Sequence, residues 1–194
     1  LSYAYDFNGY RIPADAPWSV NQIEPQAIAE AASRARAGGA DLVVVSLHWG
    51  DEYVHEPSGY QRDVAAALLP SDDIDLIVGH HAHVVQPIEL VEGTPVVFGL
   101  GNQVSNQEQL PRRDGLTVVV RAEPGADGRW AVTEIEAVPT FVELPSFRIL
   151  PVVATLQDPE LPGPLRSELE ASYDRTAAVL GGRDPTLVRL EPRP

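Results

Sequence analysis

The chain of 194 residues contains neither cysteine nor methionine. The absence of cysteine excludes disulfide bonds, thiolate metal sites and cysteine nucleophiles, and it leaves the redox compartment undecided. Without methionine, Leu1 is not a natural start, and we expect the chain to be a processed or excised piece of a longer protein. No run reaches the roughly 18 apolar residues of a membrane span, and no signal peptide is recognisable. The sequence therefore predicts no transmembrane segment in this chain.

Positive charge is also scarce. Lysine and arginine together number 14 against 28 acidic residues, which gives a net charge of −14 and a pI of about 4.6. Such a field disfavours binding to nucleic acid and to anionic membranes. It fits a solvated surface, or a site whose carboxylates are offset by cations. The remaining composition, 44% apolar and 22% charged, is typical of a globular domain with a sizeable core.

Strand and helix patterns alternate in the first half of the chain. A short strand is predicted at residues 1–5, and a helix follows in which Asn21 is the N-cap and Pro25 lies in the first turn. Residues 41–47 and 74–79 are continuous apolar runs, typical of strands buried on both faces. The helical pattern at 61–69 lies between them, so we predict a parallel pair with a right-handed crossover.

Two antiparallel hairpins are predicted next, turning at Glu92-Gly93 and at Asp127-Gly128. Pro87 then requires an edge strand or a bulge, because it cannot donate a ladder hydrogen bond. Residues 145–194 are proline-rich and contain one possible short helix, roughly at 164–180. We therefore predict an α/β fold at 1–144, with a parallel βαβ unit followed by hairpins, and a C-terminal extension at 145–194.

The five histidines are concentrated between positions 48 and 83. His48 follows one predicted buried strand and His80 follows the next, and carboxyl ends of parallel strands meet at one edge of a sheet. His81 and His83 form a His-x-His pair beside them. Neutral imidazole is a common ligand of zinc, manganese and iron, so the cluster predicts a metal site. The alternative is a set of polar loop residues that hydrogen-bond to the backbone.

Other polar residues near the cluster admit more than one role. Glu52 could orient a ligand histidine or contact substrate. Asn102 follows the glycines of "FGLGN" and could bind a phosphate or a metal-bound water, or could belong to a plain glycine turn. His55 has no strand behind it, and we leave it out of the metal site. No G-x-S-x-G motif, Walker loop or G-x-G-x-x-G motif occurs.

Four segments, "SLHWGDEY", "PSGYQ", "DLIVGHHAHVVQPIE" and "VVFGLGN", resemble the CapA family of capsule and poly-γ-glutamate biosynthesis proteins in order and spacing. The resemblance covers Leu1 to about Val120. It implies a layered α/β sandwich similar to that of calcineurin-like metallophosphoesterases, here incomplete, and an extracellular or cell-envelope location. It also implies that His48, His81 and His83 hold a divalent metal (manganese, zinc or iron) in a centre that is dinuclear in the intact protein.

The sequence also departs from the family pattern. A Gly-Asp motif and an Asn-Asn-His motif would lie before Leu1, so the missing N-terminal half of the same domain is an expected partner. "FGLGN" stands where the family more usually has "YSLGN". "GHHAH" has one residue more than the G-H-x-H of the metallophosphoesterases, which leaves open whether His80 or His81 is the first ligand of the pair.

These observations predict the C-terminal part of a metal-dependent phosphoesterase that acts on a phosphate ester or an anionic polymer. In this interpretation His80 donates a proton or a hydrogen bond, Glu52 supports a ligand or the substrate, and Asn102 positions substrate. Two alternatives stay open. One is a non-catalytic cell-surface module that binds an anionic polymer or a synthase partner, and the other is a metal-dependent amidase or peptidase.

Overall fold

The structure, a computed structural model, describes residues 1–7, 9–126, 128–181 and 187–193. Its first sheet has five strands in the order β1-β2-β3-β5-β4, in which β4 alone is antiparallel to its neighbour. This sheet confirms the predicted parallel unit and the first hairpin. Its strands, in chain order, are β1 (Ser2–Ala4), β2 (Val44–His48), β3 (Leu76–His80), β4 (Ile88–Val91) and β5 (Thr94–Val97).

Two helices, α1 (Pro25–Ala37) and α2 (Gly59–Leu68), cover one face of the first sheet. The predicted cap of α1 is wrong: Glu24 is the N-cap, and the Asn21 side chain donates instead to the Ser2 carbonyl, at 3.1 Å. Helix α2 begins two residues earlier than predicted. There Ser58 and Gln61 form a reciprocal capping box that satisfies two otherwise unpaired backbone N–H groups.

A second sheet covers the other face of the first. Its strands are β6 (Asp114–Pro124), β7 (Trp130–Glu143), β8 (Arg148–Pro151) and β9 (Val188–Leu190), and β7 pairs with all three of the others. The period of two along each strand decides which residues enter which core. Ile77 and Val96 pack towards the helices, whereas Leu76 and Val97 pack against Leu116 and other residues of the second sheet. The layers are therefore helices, first sheet and second sheet.

The hairpin of β6 and β7 was predicted and is confirmed, although Asp127 in its turn lies outside the described residues. Pro87 immediately precedes β4, which is an edge strand, as a residue without an N–H donor requires. The α/β class is thus confirmed, while the likeness to metallophosphoesterases stays a prediction. None of the helices in the described part of the chain is long and apolar enough to cross a membrane.

The C-terminal segment packs against the second sheet. It contributes β8, β9, the short helix α3 (Val152–Leu156) and the predicted helix, α4 (Gly163–Leu180), which is 18 residues long. Phe141 of β7, Val152 of α3 and Leu169 of α4 are buried together in a separate apolar cluster. The boundary predicted at residue 144 stays a prediction, and residues 182–186 and 194 lie outside the described part.

Candidate metal centre

The carboxyl ends of three parallel strands lie side by side at one edge of the first sheet. Ala4 of β1 pairs with His48 of β2, and His48 pairs with His80 of β3. Each histidine is the last residue of its strand. The Tyr5 backbone N–H then donates to the His48 carbonyl at 3.0 Å, which extends the alignment by one residue. The edge therefore gathers side chains from segments that are far apart in sequence.

The predicted convergence of the histidines at this edge is confirmed. The His48 and His81 ring centroids are 4.6 Å apart, and those of His81 and His83 are 6.2 Å apart. His80 shares the edge through its backbone, but its exposed ring makes no hydrogen bond to any residue that the structure describes. The structure thus brings His48, His81 and His83 into one cluster, with His80 beside it.

The turn that carries His81 and His83 has an unusual backbone. His81 and His83 have φ angles of 94° and 58°, and Tyr53 in the facing loop has a φ of 66°. Such left-handed conformations cost a non-glycine residue about 1–3 kcal/mol each and persist only where the surroundings enforce them. One enforcing contact is the hydrogen bond from the Tyr53 N–H to the Ala82 carbonyl, at 2.7 Å. The two loops therefore hold each other in place.

A hydrogen-bond network fixes the proton on the His83 ring. The Asn102 side-chain nitrogen faces two carbonyls, those of Arg112 at 2.8 Å and His83 at 3.5 Å, and carbonyls only accept. The Asn102 Oδ1 must then accept from His83 Nδ1, at 2.8 Å. In the neutral ring the lone pair consequently lies on Nε2, which is 3.9 Å from Glu52 Oε1. In its neutral form His83 thus carries its unprotonated nitrogen on the side of Glu52.

His81 has a partner that the sequence analysis did not identify. Its Nε2 lies 2.9 Å from the hydroxyl oxygen of Tyr5, and the two rings meet edge to face with centroids 5.1 Å apart. Tyr5 also stacks beside His48, at 6.4 Å between centroids. Its proximity could have been predicted from the sequence, because Tyr5 directly follows β1 and therefore lies at the same edge as the histidines that end β2 and β3. A three-residue strand gave too weak a pattern to draw attention to it.

Partial burial lowers the pKa of three histidines at this edge, His48, His80 and His81. Desolvation lowers the pKa of His48 from its ordinary 6.5, and the neighbouring His81, His80 and His83 lower it further. Desolvation also lowers the pKa values of His80 and His81, and at His81 the carboxylates Glu52, Asp51 and Asp6 oppose part of that effect. Because a metal ligand must offer an unprotonated nitrogen, these directions favour coordination at neutral pH.

A rigid polar scaffold lies behind the cluster. Trp49 is fully buried and its indole N–H donates to the Phe98 carbonyl at 3.0 Å. Gln61 and Gln86, also fully buried, bond to each other, and Gln86 donates to the Val54 carbonyl at 2.9 Å. These bonds tether the loop after β2 to the sheet. The loop thereby holds Glu52 and Tyr53 against the histidine turn.

His55 lies outside the cluster, as the sequence predicted. Its Nδ1 donates to the Val85 carbonyl at 2.7 Å, which ties the loop after β2 to the segment before β4. This contact explains a histidine in the loop without any metal. His55 is therefore a natural control for tests of the other histidines.

The side chains at the site are of the types that bind metals, but they do not form a complete set of ligands. Imidazole nitrogens suit zinc, manganese and iron, and His48, His81 and His83 supply them with Glu52 nearby. Across residues 1–7, 9–126, 128–181 and 187–193, however, no group of three or more histidine or acidic side chains is arranged to hold a single ion. The predicted ligand roles, and those of His80, Glu52 and Asn102 in catalysis, stay predictions.

Comparison with known proteins identifies a family and several relatives. The model of the family described as bacterial capsule synthesis protein PGA_cap matches residues 4–107, which include the whole cluster. The chain is 39% identical over 120 residues to the PGA biosynthesis protein CapA of Bacillus subtilis, a match that covers 60% of this chain and 31% of that protein. It is 36% identical over 99 residues to the capsule biosynthesis protein CapA of Bacillus anthracis, covering 50% of this chain and 24% of that protein.

A probable polyglutamine synthesis accessory protein of Mycobacterium tuberculosis is 36% identical over 71 residues, which cover 36% of this chain and 18% of that protein. The matched part of the chain thus spans less than a third of the length of each of these three relatives.

Proposed function

Because the chain belongs to the bacterial capsule synthesis protein family PGA_cap, we propose that it is part of a metal-dependent phosphoesterase that serves capsule or poly-γ-glutamate biosynthesis in the cell envelope. The names of its relatives in two Bacillus species support the biosynthetic setting. The observation that carries the enzymatic part is the convergence of His48, His81 and His83 at the carboxyl edge of a parallel sheet.

In this proposal His48, His81 and His83 hold a divalent cation, which is manganese, zinc or iron. Such a cation supplies Lewis acidity, which makes water a stronger acid and offsets charge on a phosphoryl oxygen. The described side chains do not complete a metal shell by themselves. The remaining ligands would come from water or from residues outside the described part of the chain.

Two polar neighbours would keep these ligands in position. Asn102 holds the His83 ring in the tautomer whose unprotonated nitrogen is on the side of Glu52, and the Tyr5 hydroxyl holds His81. Outer contacts of this kind are worth about 10- to 100-fold in metal affinity or activity. Glu52 Oε1 lies 3.9 Å from the unprotonated nitrogen of His83, and because both atoms are acceptors Glu52 cannot orient that ring by a hydrogen bond, so its role in this proposal is to contact the substrate.

His80 is the candidate donor of a proton or a hydrogen bond. It lies at the same edge, and within the described residues its ring has no hydrogen-bond partner. A group with these properties could approach a leaving oxygen without first breaking an internal hydrogen bond. The substrate in this proposal is a phosphate ester or a related group on an anionic polymer.

A non-catalytic role is the second candidate, and one observation favours it. The described residues offer no three-ligand metal group, as expected of a module that binds a polymer or a synthase and uses its histidines only for contacts. In that case the cluster would bind ligand without hydrolysing it.

Hydrolysis of bis(p-nitrophenyl) phosphate by the full chain, with added manganese or zinc, separates the two candidates. We expect activity that chelator abolishes and that falls at least about tenfold in His48→Ala and in His83→Ala, because losing a ligand should cost no less than losing an outer contact. His55→Ala is the matched control and should change activity little. Equal effects at all three positions would contradict the ligand assignment. Activity that survives the His48→Ala/His83→Ala double variant, or that ignores chelator, would contradict the proposal.

A further inference from the structure

A stack of three planar groups leads away from the histidine turn. The Tyr53 and His83 rings lie nearly parallel, with centroids 5.8 Å apart and an interplanar angle of 23°. The Arg112 guanidinium lies over the Tyr53 ring, with its Cζ 3.5 Å from the ring centroid. Guanidinium groups stack on aromatic rings through their flat faces, which leaves the N–H groups at the rim free to donate.

The backbone of Arg112 is tied to the same turn. Its carbonyl accepts from the Asn102 side chain at 2.8 Å, and the Asn102 Oδ1 accepts from His83. Tyr53 in turn donates its backbone N–H to Ala82. Arg112 therefore reaches the candidate site by two independent routes, one through a ring stack and one through an amide. Its guanidinium is held in place rather than left to sample solvent.

Arg112 differs from the other partly buried arginines in what it contacts. In the described part of the chain, every other partly buried arginine donates to a carboxylate or a backbone carbonyl: Arg36, Arg62, Arg113, Arg166 and Arg175. Within the same residues the Arg112 side chain has an aromatic platform and no oxygen acceptor. Its N–H donors are consequently available to a ligand.

The negative charge around the site makes the positive charge of Arg112 important for binding an anion. The chain carries a net charge of −14 and contains arginine but no lysine, and the carboxylates of Glu52, Asp51 and Asp6 act on His81 from nearby. An anionic ligand approaching this edge meets repulsion unless a fixed positive charge offsets it. Arg112 is placed to supply that charge, and its planar fork matches two oxygens of a phosphate or a carboxylate.

We infer that Arg112 binds the anionic oxygen atoms of the ligand at this site. The inference rests on the proposed function for the location of the binding site, but it does not require that the ligand be hydrolysed. Phosphate and carboxylate share the oxyanion chemistry that the guanidinium recognises, and they correspond to an ester substrate and to a glutamate polymer, respectively.

Isothermal titration calorimetry of the full chain tests this inference with two probes, inorganic phosphate and a γ-linked triglutamate. We expect Arg112→Gln to weaken binding of at least one probe by about 10- to 100-fold, the usual range for a hydrogen bond to a charged group. The matched control, Arg34→Gln, removes the same charge from an exposed position on α1 and should leave the affinity unchanged. The probe that responds identifies the ligand class.

Arg112→Lys is the second variant, used also if the glutamine variant fails to fold. It retains the charge but loses the fork, so we expect affinity between those of wild type and Arg112→Gln. Unchanged affinity in both Arg112 variants, equal losses in Arg112→Gln and Arg34→Gln, or no binding of either probe by wild type would each overturn the inference. Calorimetry measures binding alone, so it can be compared with the separate hydrolysis assay. If binding depends on Arg112 but the phosphodiester is not hydrolysed, the proposed enzymatic function is contradicted and this inference stands.

Discussion

The two sheets of the molecule place their polar side chains in different ways. At the carboxyl edge of the first sheet, histidines from separate segments converge, and the backbone at His81 and His83 is left-handed. On the second sheet, charges pair off along the exposed strands, as Arg121 and Arg189 do with Glu134. The first arrangement concentrates polar groups in one place, and the second distributes them.

This difference indicates where the function lies. Exposed ion pairs contribute about 0–1 kcal/mol each and require no particular backbone. Left-handed residues cost about 1–3 kcal/mol each, so a fold that retains two in one turn and a third in the facing loop must compensate with other contacts. The compensation is visible in the bonds of Tyr53, Asn102 and Gln86 around the turn. The backbone conformation at the edge of the first sheet is therefore not explained by stability alone, which indicates that this edge serves a function.

Substitution of Gly79 should be the most damaging single change behind the site. A Cβ at Gly79 would lie 1.9 Å from the Phe98 carbonyl oxygen and 2.4 Å from the Trp49 indole nitrogen, so the hydrogen bond between them must break. We expect Gly79→Ala to lower the free energy of unfolding by about 3 kcal/mol or more. Urea denaturation measures the loss. Gly59→Ala is the control, since no atom lies within 4 Å of its added Cβ, and a comparable loss there would undermine the packing explanation.

On the side of the second sheet, the largest effect should come from the ion pair between Asp114 and Arg175. Asp114 is 2% exposed and accepts from Arg175 at 2.6 and 2.8 Å. Arg175→Ala leaves a buried carboxylate without its partner, and we expect a loss of about 3 kcal/mol in unfolding free energy. Arg148→Ala breaks an exposed pair with Glu143 and should cost much less stability than Arg175→Ala. Similar losses in both variants would mean that burial does not decide the strength of these pairs.

A smaller effect is expected from the tyrosine that supports the cluster. Tyr5→Phe keeps the ring beside His48 and removes the hydroxyl that bonds to His81. We expect about tenfold weaker binding of zinc or manganese, typical of the loss of an outer contact, with little change in thermal stability. Tyr10→Phe, at an exposed residue, is the control. Metal affinity that is unaffected by Tyr5→Phe would show that this hydroxyl does not orient His81.

The smallest expected effect is the change in stability in mild acid. Protonation should lower stability at the histidine cluster and raise it at the second sheet. Burial lowers the pKa of His48, His80 and His81, so the unfolded chain binds protons more readily, and stability falls as pH drops below 6.5. Burial raises the pKa of Glu191, beyond β9, so acid relieves a cost there. Thermal melts of metal-free protein between pH 7.5 and 5 measure this change. The melting temperature should fall less with acid in His48→Asn than in wild type, and more in Glu191→Gln than in wild type. The opposite order would refute these assignments.

The sequence predicted those features that local patterns encode. Continuous apolar runs identified β2 and β3, and the rule that parallel strands share a carboxyl edge was enough to bring His48 to the other histidines. The predicted cap of α1 was wrong because the Asn21 side chain bonds to the carbonyl of Ser2 in β1, a tertiary contact that no local signal contains.

The remaining site residues depend on loops rather than on strand ends. Tyr53 and Arg112 meet only because a left-handed residue in one loop presents its ring to another segment. Asn102 was predicted to position substrate, which stays a prediction, and the sequence did not indicate that its amide also bonds to His83 and Arg112. Contacts of this kind follow from the folded geometry, and sequence spacing does not indicate them.

Metal binding measured by equilibrium dialysis against zinc or manganese tests the central claim most directly. Wild-type chain and His55→Ala should bind metal with equal affinity. The His48→Ala/His83→Ala double variant should bind it about 100-fold more weakly or worse, since each lost ligand should cost at least tenfold. Equal binding by all three proteins, or no binding by wild type, would contradict the claim that the edge of the first sheet is a metal centre.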